Sequence, residues 1–198
     1  MLEGLLVDLV PYGDAYKRQE YHWRNSEAWF WATAGDRWFL SREHSERSQR
    51  ERAERAEQHH WQGIMFGIQS KDGQPLGDIG MGWVVPHHRL AMLGAAIGEP
   101  AFWGGGYGTD ALLLLVDYAF DWLDFHKLWL GTMGINERVQ RQMAKVGFTL
   151  EVRLRAGMYA NGQWTDELQY GLLREEWPGR EAVIARIGLK ARSAPEAG

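Results

Sequence analysis

The chain has 198 residues, 45% apolar and 24% charged, which fits one soluble domain. A net charge of −4 gives no global attraction to nucleic acid or an anionic membrane surface, and zero cysteines exclude disulfides, thiolate metal sites and a cysteine-borne covalent intermediate. No apolar run approaches the ~20 residues of a membrane helix, and the opening M-L-E-G-L-L-V-D-L-V lacks a signal peptide's basic flank, so a cytoplasmic protein with no membrane or nucleic-acid partner is expected.

In chain order, Leu5 to Val10 reads as a strand ended by Pro11-Tyr12-Gly13. Asp14 can cap a helix to Trp23, and Ser26 a short second helix through Trp31, broken by Gly35-Asp36. Ser41 to Gln58 is a charged helix with Glu43/Arg47, Glu46/Arg50 and Glu51/Arg55 four apart, acid first. Its alternating signs favour a solvated helix over a basic binding face. Trp61 to Ser70 and Leu76 to Val85 read as strands joined by a turn at Lys71-Asp72-Gly73-Gln74. Leu90 to Gly98 is a further strand, and a helix is expected from Gly108 to Asp124. A strand (Lys127 to Met133), a helix (Glu137 to Val146) and two strands (Phe148 to Tyr159, Trp164 to Leu173) follow, the last two joined by Ala160-Asn161-Gly162-Gln163. This order predicts one mixed α+β domain over residues 1–178 with a central sheet. Residues 179–198 read as a partly mobile C-terminal extension with a weak helical patch, Ala182 to Leu189.

Residues 102 to 110 read F-W-G-G-G-Y-G-T-D, just where an apolar helix begins. Each ordered glycine costs roughly 0.5–1 kcal/mol against alanine, so the backbone here must be needed bare. A helix's first turn has unpaired N–H groups and a partial positive charge, and glycines let an anion approach them. A mononucleotide P-loop needs Lys-Ser/Thr at the loop's end, whereas Gly108 is followed by Thr109-Asp110. A dinucleotide fingerprint needs an acid at the end of the next strand, which here ends in Thr-Met-Gly. With both nucleotide motifs set aside, the bare backbone reads as an anion cradle at a helix start.

The stretch Leu90 to Phe148 resembles the GNAT superfamily of N-acetyltransferases, specifically its ribosomal-protein N-terminal acetyltransferase-like branch. That branch shows I-G-x-P-x-x-W-G-x-G-Y-G/A-T-E-A; this chain has Ile97-Gly98-Glu99-Pro100-Ala101-Phe102-Trp103-Gly104-Gly105-Gly106-Tyr107-Gly108-Thr109-Asp110-Ala111. Asn136, Lys145 before Gly147-Phe148, the hairpin Tyr159 to Asp166 and the ending Leu172-Leu173-Arg174-Glu175-Glu176-Trp177 fit the same branch. The resemblance runs from about residue 3 to 177.

It implies a GNAT-type fold whose largely antiparallel, twisted sheet splays in the middle to hold acetyl-CoA, with no metal. Ala96, Ile97 and Gly98 would pair with the pantetheine arm, the N–H groups of Gly104, Gly105, Gly106, Tyr107, Gly108 and Thr109 would hold the diphosphate, and Asn136 and Lys145 would line the other side. Trp103 reads equally as a lid or as core. The acceptor would be a primary amine: a protein N-terminus, a small-molecule amine, or an aminoglycoside-like antibiotic. With no cysteine available, direct attack in a ternary complex is expected. A homodimer is a further expectation from the family.

The chain departs from the family at three points. Where a tyrosine acid usually stands it has Met143, which has no proton to donate. Where Glu-Leu-Gly-Tyr is common it has Met92-Leu93-Gly94-Ala95, and the loop's usual basic residue is Gly105. The alternative is therefore a non-catalytic acyl-CoA sensor. Base candidates are Asp78 and Glu99, then Tyr159, Asp166 and the pair His87-His88. Trp23, Trp29, Trp31, Trp38 and Trp83 read first as core residues and second as acceptor walls.

Overall fold

In the strand Pro75–Val85, Ile79 and Met81 are fully buried while Asp78, Gly80 and Gly82 are only half-buried. This two-residue period gives the sheet two different faces. The computed structural model describes residues 1–33, 38–58, 64–192 and 195. The expected break at Gly35-Asp36 and the strand start at Trp61 lie outside these residues, as does most of the tail beyond Arg192.

Eight strands form one sheet: β1 (Leu2–Glu3), β2 (Val7–Pro11), β3 (Ile64–Ser70), β4 (Pro75–Val85), β5 (Leu90–Ile97), β6 (Lys127–Met133), β7 (Thr149–Ala160) and β8 (Gln163–Leu173). Their order is β1-β2-β3-β4-β5-β6-β8-β7, and every neighbouring pair is antiparallel except β5 and β6. The helices are α1 (Asp14–Arg24), α2 (Glu27–Ala32), α3 (Arg42–Gln58), α4 (Tyr107–Asp117), α5 (Glu137–Val146) and α6 (Arg180–Ile187).

The main core lies between α4 and the sheet. Ala111 to Val116 are all buried, as are Ile68, Ile79, Leu93 and Leu128 from four strands. On this face Phe66 meets the ring of Tyr118 edge-on. Neighbouring Gly67 points the other way, where a Cβ would stand 2.3 Å from the Tyr16 ring of α1. α1 therefore rides on the opposite face, over β4, with α2 beside it over β5. A smaller core of Phe30, Met133 and Ala160 seals α2 to the sheet.

Two elements differ from the sequence reading. The helix expected to run to Asp124 is α-helical only to Asp117 and then widens into a π-helical turn, Tyr118–Trp122, with Leu123 N–H donating to Tyr118 C=O (3.3 Å). The wider turn keeps Phe120 in the core and leaves Trp122 outside. On α3, neither Glu43/Arg47 nor Glu46/Arg50 is formed among the described side chains, and the Arg55 side chain of the third expected pair lies outside them; Arg47 reaches Glu51 (4.0 Å), and Arg52 and Gln49 turn inward to Glu20. Within the segment set apart as an extension, α6 packs on the core through fully buried Val183, and Arg180 reaches Asp110 of α4 (3.2 Å).

Candidate active site

The parallel pairing of β5 with β6 covers only Leu90–Met92 against Lys127–Trp129, although β5 runs on to Ile97 and β6 to Met133. Beyond Met92 the strands diverge. The gap continues into a cleft of about 380 Å³, lined by Ala95, Ala96 and Ile97 from β5, Gly104, Gly106, Gly108 and Thr109 from the glycine loop, and Asn136, Arg138, Gln142 and Lys145 from the start and one side of α5.

Local conformation explains the loop. Gly106 is the N-cap of α4 at φ +91°, a region side chains avoid. Its carbonyl takes the first helical bond, from Asp110 N–H (2.8 Å). Asp110 is fully buried and holds the helix in place: its carboxylate accepts from Leu6 N–H (2.7 Å) and Val7 N–H (3.2 Å), and pairs with Arg180. The acid that rules out a P-loop thus points into the core rather than at the loop.

Asn136 caps α5, its Oδ1 accepting from Val139 N–H (3.4 Å). It is 3% exposed, and its Nδ2 has no hydrogen-bond partner. A buried amide donor without a partner costs ~1–3 kcal/mol, and this residue lines the cleft, so it suits a carbonyl on a bound ligand. Trp103 covers the cleft from the loop side: its indole N–H donates to Ile97 C=O (2.8 Å) and the Arg138 guanidinium lies 4.3 Å over its ring. Burial lowers the Arg138 pKa, with Glu27 opposing. Arg138, Arg141 and Lys145 follow one another at helical spacing along the cleft wall, and Arg141 also pairs with Glu137 (2.9 Å). Unpaired β5 backbone, a buried free donor, glycine-exposed amides and a basic wall fit a pantetheine diphosphate.

The structure brings together Ala96, Ile97, Trp103, Gly104, Gly106, Gly108, Thr109, Asn136 and Lys145 of the expected cofactor set. Three others stand apart. Gly98 lies beneath Trp23, where a Cβ would be 2.3 Å from the indole, and its N–H donates to Leu76 C=O (2.8 Å). Tyr107 is buried against Phe102, with ring centroids 4.9 Å apart, and the Cα of Gly105 faces that Tyr107 ring rather than the cleft. Sequence reading missed Arg138, Arg141 and Gln142; their i, i+3, i+4, i+7 run with Lys145 carries the signal.

Neither base candidate lines the cleft. Glu99 accepts from the Trp23 indole N–H (2.8 Å) and so holds that ring against Gly98. Asp78 lies directly across from Ala96 on the α1 face. Burial and then Glu20 push its carboxyl up to about 6, with Arg24 and Arg52 pulling the other way. Glu20 is itself buried, bound by Arg24 (2.7 Å) and Arg52, and accepts from the Tyr12 hydroxyl (3.1 Å). Burial, then Glu20 and Asp78, raise the Tyr12 phenol well above its ordinary pKa. Asp166 is engaged with Arg153 (3.1 Å) and Ala156 N–H (3.0 Å) at a bulge in β7. Tyr159 is exposed against Trp164, and His87 and His88 are exposed at the β4–β5 turn. Met143 is 2% exposed and belongs to the core. Of the tryptophans, Trp23 is core, Trp31 lines the cleft, and Trp38 and Trp83 are exposed, contrary to their expected burial.

The geometry agrees with what the chain is similar to. Residues 8–149 match the acetyltransferase (GNAT) domain family. The chain is 32% identical over 110 residues to the "Putative ribosomal N-acetyltransferase YdaF" of Bacillus subtilis (strain 168), covering 56% of this chain and 60% of that protein. It is 28% identical over 119 residues to the spermidine N(1)-acetyltransferase of Escherichia coli (strain K12), covering 60% and 63%. It thus spans about three fifths of the length of the curated relatives it matches. Its fold superposes on the Vibrio cholerae spermidine N-acetyltransferase crystallised with CoA and spermine, with a TM-score of 0.74 at 19% identity over 86% of this chain and 96% of that one. A family match over most of its length, resting on the cleft just described, makes this chain a member of the GNAT acetyltransferase family.

Proposed function

We propose that the protein is an N-acetyltransferase that binds acetyl-CoA in the β5–β6 cleft and passes its acetyl group to a primary amine. The carrying observation is the early end of the β5–β6 pairing, which opens the cleft onto the bare backbone of Gly104 to Thr109. When bound, the cofactor supplies a thioester. The chain's part is to hold and to move protons. Asn136 Nδ2 and the β5 backbone grip the arm, the loop amides and the Arg138–Lys145 wall neutralise the phosphates, and Trp103 screens the gap from water.

An alkylammonium has a pKa near ~10.4 and must lose a proton before it attacks. Asp78 is the carboxyl best matched to accepting it: burial has raised it toward neutrality, and it sits one strand from the cleft. Met143 has no proton to give, so the thiol would depart as the thiolate, which a modest pKa of ~8.5 permits, and regain its proton afterwards from buffered solvent. Of the relatives, one is named a spermidine N(1)-acetyltransferase and another a "Putative ribosomal N-acetyltransferase". Trp31, an aromatic wall at the cleft, favours a larger amine, such as a peptide N-terminus, over a bare polyamine.

The test is thiol release from acetyl-CoA across a panel of N-terminal peptides, spermidine and an aminoglycoside. Turnover with a peptide supports the full reading, and turnover with spermidine alone redirects the acceptor. Tight CoA binding with no turnover on any amine would leave a sensor, the reading that buried Met143 favours.

A further inference from the structure

The glycine loop, residues 102–110, has no cation of its own. A cation nevertheless stands beside it, delivered from the far end of the chain. The Arg192 guanidinium reaches to 3.0 Å from where a Cβ on Gly105 would lie and 3.5 Å from one on Gly106, and it sits 5.5 Å over the Tyr107 ring. Leu189 packs at the same spot, 2.8 Å from a Cβ at Gly106.

The segment that carries Arg192 is anchored at three points, two of them on walls of the cleft. Arg180 pairs with Asp110 in the first turn of α4. Val183 is buried in the core. Arg186 donates to the C=O groups of Lys145 (3.2 Å) and Val146 (3.0 Å) at the end of α5. The helix α6 thus braces both the loop side and the α5 side, and its C-terminal continuation brings a guanidinium to the loop.

Resting on the proposed CoA-binding role of the cleft, we propose that Arg192 is a cofactor-positioning residue that supplies the charge the loop lacks to the phosphates of CoA. Arg192 stands on the Tyr107 side of the loop, and across the loop Asn136 Nδ2, buried and unpartnered, independently marks the cleft as built for a ligand. A guanidinium makes charge-assisted, bidentate bonds to phosphate oxygens, and stacking on Tyr107 orients its plane. The same contacts account for Gly105: a side chain there would meet Tyr107 at 2.7 Å and displace Arg192.

The experiment is calorimetric titration of the full chain, wild type, Arg192→Ala and Arg192→Lys, with CoA and with phosphate-free pantetheine. The proposal predicts about a tenfold loss of CoA affinity in Arg192→Ala, unchanged pantetheine affinity, and partial recovery in Arg192→Lys. The salt dependence of CoA binding should also weaken in Arg192→Ala, since one screened charge is gone. Wild-type CoA affinity in Arg192→Ala would overturn the proposal while leaving the cleft's function standing. An equal loss for CoA and pantetheine would overturn it too, by making Arg192 a structural brace. If the wild type bound no CoA, the reading of the cleft itself would fail, and this inference with it.

Discussion

The two sides of β5 are built differently. Toward β6 the cleft is made largely of backbone, the edge of Ala95 to Ile97 that no strand covers and the loop glycines, joined by an N-capping asparagine and the basic side of α5, all between Ala95 and Lys145. Toward β4 the site is made of side chains gathered from far apart: Tyr12, Glu20 and Arg24 from α1 and its approach, Arg52 from α3 and Asp78 from β4. Backbone sites of the first kind leave punctuation in the sequence, because only certain residues permit the conformation. Charge networks of the second kind leave none, because their meaning depends on which strands and helices happen to meet.

The largest expected effect falls on the backbone side. Gly106→Val places a branched side chain at φ +91° with its Cβ 2.8 Å from Leu189. A backbone cost of ~1–3 kcal/mol, set against the cofactor-binding geometry, should weaken CoA binding on the order of tenfold to a hundredfold by calorimetry. An unchanged affinity would mean that the loop's conformation does not serve the ligand. Asn136→Ala comes next. Losing the cap costs about 1 kcal/mol of stability, and losing Nδ2 should raise the KM for acetyl-CoA roughly tenfold with kcat less affected. A fall in melting temperature with no change in KM would reduce Asn136 to its capping role.

The glycine loop is legible in the sequence because positive φ leaves a local mark, whereas Asn136 and Lys145 are legible only through the family pattern they match. The misplaced residues show where such rules stop. Gly98 falls inside the cofactor motif, yet the space it leaves is filled by Trp23, 75 residues earlier. Glu99 stands beside the loop in sequence, and the same indole takes its carboxylate. Trp38 and Trp83 are exposed, and nothing in a tryptophan's neighbours along the chain says whether anything packs over it. Even Arg192, at the far end of the chain, becomes meaningful only once α6 is docked. The splay of the sheet follows from element order and the family pattern; the widened turn at Tyr118–Trp122 has no local marker.

The side-chain half is probed more gently. Asp78 has a folded-state pKa of about 6 against an ordinary 3.8, so its neutral form favours the fold. Its contribution to stability is fully present below pH 3.8, is lost as pH rises toward 6, and is flat above. Asp78→Asn should therefore gain stability relative to wild type across that window, as denaturant melts at pH 4, 5 and 7 can show. If Asp78 also accepts the amine's proton, the rise of rate through pH 6 should vanish in the same variant; a retained rise would move the base elsewhere. The smallest effect belongs to Glu137→Ala, which unties the exposed Arg141 pair. Loss of an exposed i,i+4 pair costs about 0.3–0.5 kcal/mol, and freeing a cation on the cleft wall should leave CoA affinity equal or slightly higher.

Amide hydrogen exchange with and without CoA tests the central claim most directly, because it reads the backbone groups themselves. The account predicts that CoA slows exchange in two stretches, Ala95 to Ile97 and Gly104 to Thr109, and leaves the β7–β8 hairpin unchanged. Slowing spread evenly over the sheet, or found only away from those stretches, would contradict it.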